Sequence, residues 1–278
     1  MKNILLTGSG GFIGSHLKKW LKDKYNLFTP RSYELNLLDS DAVKKYVETN
    51  KINFIIHSAS CGVRITPDAT IEDVAKPNLE MFNNLADCVT SNCPMITFGS
   101  GAEYDKSRPL VNVREDEFGK SIPQDPYGYS KYLISKEIEK RENILNLRIF
   151  GIYGQGEDVS RVTSCIVHAK LKNEPVILNQ NVRFHFIWIE DFCKIVDYFI
   201  EHPTKEKFLN VAPSESIEIV ELAKLAGVEY VVKNSGLNRE YTADNTRLLK
   251  ELGSFEFTTY EEGLIEFHLG MKDGKDGM

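Results

Sequence analysis

The chain has 278 residues, with 34 basic and 40 acidic side chains and a net charge of −6. That length supports one large core or two modest ones, and a mildly acidic chain with no basic block argues against nucleic acid as the main partner. No stretch approaches the ~18–20 apolar residues that a spanning helix needs. The short apolar start breaks at once into glycines, unlike a secretory leader. Five scattered cysteines (Cys61, Cys88, Cys93, Cys165 and Cys193) form no C-x-x-C pair, so neither a zinc site nor a disulfide framework is indicated. These features predict a cytoplasmic protein with no metal and no membrane partner.

The first half alternates strand and helix patterns. Asn3–Thr7 reads as a short buried strand, followed by a glycine cluster and a helix over Phe12–Leu21. Asn26–Thr29 is the next strand, and Asp39 has the character of an N-cap for a helix over Ser40–Thr49. Asn53–His57 is a third strand, Asp73–Ser91 a long helix and Met95–Gly99 a fourth strand. A helix over Tyr127–Glu142 and a strand over Ile144–Ile149 follow. Strands separated by helices of this length predict right-handed crossovers and an α/β fold with a doubly wound parallel sheet. Beyond Gly151 the pattern loosens. Helices are expected over Val162–Lys172, Ile189–Glu201 and Ser216–Ala226, with short strands at Val176–Leu178 and Phe208–Val211. The expected organisation is a dinucleotide-binding domain over 1–160, a smaller mixed α/β substrate lobe over 161–270 and a polar, glycine-rich flexible tail over 271–278.

The segment Thr7-Gly8-Ser9-Gly10-Gly11-Phe12-Ile13-Gly14 follows the first strand and opens the first helix. In that context backbone N–H groups can approach a pyrophosphate, and the helix N-terminus adds partial positive charge. The spacing that fits is G-x-x-G-x-x-G, at Gly8, Gly11 and Gly14, not the strict G-x-G-x-x-G. An NAD site calls for an acidic residue at the end of the second strand. Here Tyr25–Ser32 offers Arg31 instead, and a guanidinium suits a 2′-phosphate. NADP is therefore the expected cofactor, the alternative being that Arg31 is a solvated surface residue.

Tyr127-x-x-x-Lys131 after Pro126 places a phenol and an ammonium on one helix face. The positive charge favours the phenolate, so Tyr127 can serve as general acid/base near neutral pH. Tyr132 and Lys136 share the same spacing, so the pattern alone is weak. Tyr127 is preferred because it opens the helix and follows the Gly99-Ser100-Gly101-Ala102-Glu103-Tyr104 segment. That segment lies at the carboxyl end of the fourth strand, where such sheets bind ligands. Ser100 there can hydrogen-bond a carbonyl or alkoxide, or be an ordinary turn serine.

Together the glycine loop, the Ser100 segment and Pro126-Tyr127-x-x-x-Lys131 resemble the extended short-chain dehydrogenase/reductase superfamily, the epimerase/dehydratase group of sugar-nucleotide enzymes. The resemblance runs from the N-terminus to about Ala212 and implies a Rossmann domain with Ser100, Tyr127 and Lys131 as catalytic residues. It further implies cofactor contacts from Gly8 to Gly14, from Arg31, Asn36 and Leu37 (the last two along the adenine), and from Ser58, Ala59, Ser60 and Asn78. Tyr127 and Lys131 would also reach the nicotinamide ribose.

Arg31–Asp39 is similar to the second-strand region of the GDP-L-fucose synthase group, in which an arginine grips the 2′-phosphate. Arg183 resembles that group's arginine for the substrate diphosphate; its alternative is a surface salt bridge. Ser100, Gly101, Ala102, Tyr127 and Arg183 are the implied substrate contacts. Ala102 stands where the group has an epimerising cysteine. The accompanying histidine's place falls near Thr163 or Ser164, with His168 close by. The Asp-Glu pair of the dehydratases is replaced by Gly101 and Ala102, Glu103 is expected to face elsewhere, and a family asparagine is Gly151.

The expectation is an NADPH-dependent reductase of a nucleotide-linked 4-keto-6-deoxy sugar, without C3/C5 epimerisation. An NAD-dependent 4-epimerase and a non-catalytic NADP-sensing protein are the alternatives. The partner is a nucleotide-diphosphate sugar, and a homodimer is expected by analogy.

Overall fold

The computed structural model describes residues 1–61 and 70–272. Its chain divides into two compact units, one formed by 1–107, 115–149 and 193–210 and the other by 108–114, 150–192 and 211–278. In this division 108–114 and 150–160 belong to the second unit and 193–210 to the first.

The first unit holds a six-stranded sheet. Its strands include β1 (Asn3–Thr7), β2 (Asn26–Phe28), β3 (Phe54–His57) and β4 (Met95–Ser100), and its order is β2-β1-β3-β4, then Ile144–Ile149, then Phe208–Val211. The pairings β1–β2, β1–β3, β3–β4 and β4 with Ile144–Ile149 are all parallel. Such strands are covered on both faces and therefore read as continuous apolar runs. Ile4, Leu5, Leu6, Ile55 and Ile56 accordingly have no exposed surface.

The helices of this unit are α1 (Phe12–Leu21), α2 (Ser40–Thr49), α3 (Ile71–Ala86) and α4 (Pro126–Ile138). Asp39 caps α2 by accepting from the Ala42 N–H. Thr70 and Asp73 form a reciprocal capping box, so α3 starts at Ile71, two residues before the expected Asp73. Asp125 caps α4 and Pro126 occupies its first turn. Leu5, Val43, Val47, Ile55, Phe82, Leu85, Ile134 and Ile138 form one continuous core cluster on the face covered by α2, α3 and α4.

The second unit holds α5 (Val162–Lys172), α7 (Ile219–Leu225), α8 (Thr246–Leu252), α9 (Tyr260–Lys272) and the start of α6 (Ile189–Glu201). Its four-stranded sheet joins Ile217–Glu218, Arg183–Phe184, Tyr241–Ala243 and Leu110–Val113. Val176–Asn181 pairs in parallel with Tyr230–Leu237. The expected tail begins within α9, and from residue 273 onward it lies outside the described residues. No helix among the described residues is long and apolar enough to cross a membrane.

Candidate active site

The strand order reverses between β1 and β3, which have neighbours on opposite sides. Ligands of open α/β sheets bind at such a switch point, beyond the carboxyl ends of the strands. The loops after these two strands meet there. Gly8 has φ +67°, and a Cβ on it would lie 2.6 Å from the Ala59 nitrogen and the Ser58 carbonyl carbon. A Cβ on Gly14 would lie 2.1 Å from the Gly8 oxygen, so only glycine lets α1 approach β1 this closely. Around Gly11 the nearest atom to such a Cβ is 3.5 Å away, so that position is open toward the protein. Ser9 is buried, while Phe12 and Ile13 are half-buried.

Helix α1 has Gly11 as its N-cap, which offers no side-chain cap. Its first-turn N–H groups therefore have no capping acceptor, which suits an anion such as a pyrophosphate. The exposed Arg31 completes this region, since a Cβ on Gly10 would lie 2.2 Å from its Nη1. The first acidic residue after β2, Glu34, accepts the Arg31 backbone N–H at 2.7 Å. These features fit a phosphate-bearing dinucleotide.

Other expected cofactor contacts have structural duties. Asn36 Oδ1 accepts the Leu38 N–H, and the half-buried Leu37 packs on the core cluster. Ser58, Ala59 and Ser60 are half-buried. Asn78 is 3 % exposed. Its amide donates to the Cys61 and Val74 carbonyls and accepts from the Cys61 N–H at 2.7 Å. It therefore shapes the loop after β3 from beneath.

Ser100 ends β4 and caps a short 3₁₀ turn over Gly101–Tyr104, its Oγ accepting from the Ala102 N–H. Tyr127 is half-buried in the first turn of α4, one turn before Lys131. The Lys131 ammonium donates to the Phe98 carbonyl at 2.8 Å, two residues before Ser100. A Cβ on Gly128 would lie 2.8 Å from the Ala102 oxygen, so the start of α4 rests on the Ser100 turn. The competing pair is built differently. Tyr132 packs on Phe118 with ring centroids 5.0 Å apart, and Lys136 forms an exposed ion pair with Glu139. The structure thus brings Ser100, Tyr127 and Lys131 to one end of the sheet and gives Tyr132 and Lys136 separate roles.

Two buried groups beside this set were not singled out by sequence. The first is Glu103, expected to face elsewhere. It turns inward and accepts the Ser100 N–H at 2.8 Å, because the 3₁₀ turn folds its side chain back beneath the strand end. A fully buried Arg148 in the strand Ile144–Ile149 was the signal, since a charge inside a buried strand demands a partner.

The second is His57, whose Nδ1 lies 2.9 Å from the Thr7 Oγ1. Burial, and then the nearby Lys131 charge, push its pKa down to about 3. The unfolded histidine keeps a value near ~6.5, so between these limits the unfolded chain binds the extra proton. The stabilisation is complete above about 6.5 and is lost as pH falls, by at most about 1.4 kcal/mol per pH unit. Urea unfolding at stepped pH should show a shallower acid loss in His57→Asn than in the parent; an unchanged slope would show that His57 is not the titrating group.

In the second unit, Arg183 Nη2 pairs with Glu218 Oε1 at 2.8 Å, and Asn181 holds the other Glu218 oxygen. Thr163 and Ser164 are buried on α5, with the Thr163 hydroxyl bonded to Glu157, and His168 lies further along the same helix. Gly151 has no room for the asparagine that the family resemblance places there: a Cβ would lie 2.5 Å from the His185 oxygen.

The sequence is similar to ADP-L-glycero-D-manno-heptose-6-epimerase of Brachyspira hyodysenteriae, at 24 % identity over 97 % of this chain and 95 % of that protein. It is also similar to GDP-L-colitose synthase of Yersinia pseudotuberculosis, at 25 % identity over 94 % and 95 %. The fold matches a GDP-L-fucose synthetase from Naegleria fowleri bound to NADP, with TM-score 0.80, 16 % identity and coverage of 99 % and 94 %. It also matches the Bordetella bronchiseptica enzyme WbmG in complex with NAD, with TM-score 0.82, 18 % identity and the same coverage. The NAD dependent epimerase/dehydratase family matches residues 4–212, from the first strand of the central sheet to just past its last. A match over more than half the chain, on a sheet of the corresponding architecture, makes this protein a member of the NAD dependent epimerase/dehydratase family.

Proposed function

We propose that this protein is an NADP-dependent reductase that converts the C4 ketone of a nucleotide-linked 4-keto-6-deoxy sugar to an alcohol. The observation that carries the reading is Arg31, whose guanidinium lies against Gly10 at the glycine loop. Bound there, the dinucleotide would supply the hydride. Tyr127 donates the proton to the developing alkoxide, and Ser100 supports that oxygen electrostatically. Lys131 favours the phenolate form of Tyr127. Ala102 offers no group that moves a proton, which argues against accompanying epimerisation. Arg183 would exchange its Glu218 partner for the sugar-nucleotide diphosphate. The similarity to a colitose synthase and to a fucose synthetase bound to NADP supports this reading.

Fluorescence titration with NADPH and NADH tests the cofactor assignment. A charge-assisted phosphate contact contributes roughly 1.5–3 kcal/mol, so Arg31→Ala should weaken NADPH binding about 10–100-fold and leave NADH nearly unchanged. Net NADPH oxidation with a panel of nucleotide 4-keto-6-deoxyhexoses tests the reaction. Protein that arrives with NAD bound and consumes no NADPH would instead be an epimerase, as the heptose-epimerase relative is named.

A further inference from the structure

Beneath Ser100 lies a connected network of buried polar groups. Glu103 and Arg148 have no exposed side-chain surface, and Arg148 Nε donates to Glu103 Oε2 at 2.8 Å. The other carboxylate oxygen takes the Ser100 N–H, and the Ser135 hydroxyl of α4 donates to Oε2. Ser135 in turn accepts from Asn146 at 2.9 Å. A Cβ on Gly99 would lie 2.3 Å from Glu103 Oε1, so the missing side chain at 99 is what makes room for the carboxylate. The guanidinium also donates to the Tyr104 hydroxyl, which donates to Asn210. One carboxylate thus joins the end of β4, the strand Ile144–Ile149 and the helix that carries Tyr127 and Lys131.

We propose that Glu103 is a positioning residue for the Ser100, Tyr127 and Lys131 set, locking the Ser100 turn to α4, the helix that carries the other two. The inference rests on the reading of Tyr127 and Lys131 as the reacting pair. Facing Lys131 are Glu103 from the 3₁₀ turn and His57 and the Phe98 carbonyl from the sheet. His57 is neutral, and burial of Lys131 favours loss of its proton, an effect that Glu103 opposes.

A merely structural ion pair can be exchanged for apolar groups without loss of stability, which separates the two roles. In ligand-free protein, the Lys131 Nζ signal is followed by 15N NMR against pH and assigned by its absence in Lys131→Met. The variant Glu103→Ile/Arg148→Met should keep the parent's melting midpoint yet shift the Lys131 titration. Glu103→Gln, which keeps an acceptor for Ser100 but no charge, should shift it the same way if the double variant does not fold. With NADPH and a nucleotide 4-keto-6-deoxyhexose, kcat should fall at least tenfold while KM stays within threefold. An unmoved Lys131 titration overturns the proposal. If Tyr127→Phe turns over normally, the reductase reading fails, and the Lys131 titration still decides the role of Glu103.

Discussion

Tyr127→Phe is expected to lower turnover by about 10²–10⁴-fold, the usual contribution of a positioned proton donor, with dinucleotide affinity within about threefold of the parent. The phenyl ring fills the same half-buried place in the first turn of α4, so the variant removes a hydroxyl and little packing. Water can replace the donor only poorly, because it is not held against the developing alkoxide. Tyr132→Phe is the internal comparison. Tyr132 has the same i to i+4 lysine, but it packs on Phe118, stacks on Tyr129, and its lysine pairs with Glu139. Turnover in that variant should stay within a few-fold. Single-turnover oxidation of NADPH with a nucleotide 4-keto-6-deoxyhexose measures both. Equal losses in the two variants, or none in Tyr127→Phe, would remove Tyr127 from the proton-transfer step.

The parts of the fold that were legible are those in which a local rule decides the outcome. The loop after β1 needs glycine at 8 and 14 for backbone approach, and Asp39 announces α2 by capping it. Helix ends were less clear: α3 stops at Ala86, not Ser91, and α4 at Ile138, not Glu142. The second unit was hidden for a different reason. Arg183–Phe184, Ile187–Trp188 and Ile217–Glu218 are two residues long, too short to show an alternating pattern. Leu110–Val113 pairs with Tyr241–Ala243, more than a hundred residues on, and no local signal carries a pairing at that distance. It therefore read as part of the nucleotide-binding half. At the candidate site, the glycine loop, Arg31, Ser100 and Tyr127-x-x-x-Lys131 are candidates that spacing alone offers. Glu103 could not, because its direction depends on the 3₁₀ turn after β4 and on the space left by Gly99.

Arg148→Met should cost about 3–5 kcal/mol of stability, the usual consequence of leaving one member of a buried ion pair alone. Arg148 lies 4.4 Å from the Phe118 ring centroid and 4.3 Å from that of Phe208. A methionine keeps much of this packing, so the loss comes from the stranded Glu103 carboxylate rather than from a cavity. The carboxylate would retain the Ser100 N–H and the Ser135 hydroxyl but lose the Arg148 guanidinium beside it. Adding Glu103→Ile should return most of the loss, since the apolar pair fills the space with no ion to desolvate. Urea midpoints of the parent, the single and the double variant measure both steps. A single-variant loss below about 1 kcal/mol would mean that water or a neighbouring donor satisfies Glu103, and the network could not then fix the Ser100 turn. Recovery in the double variant without recovery of turnover would assign the pair to alignment of the reacting groups, because stability and catalysis would have been separated at one site.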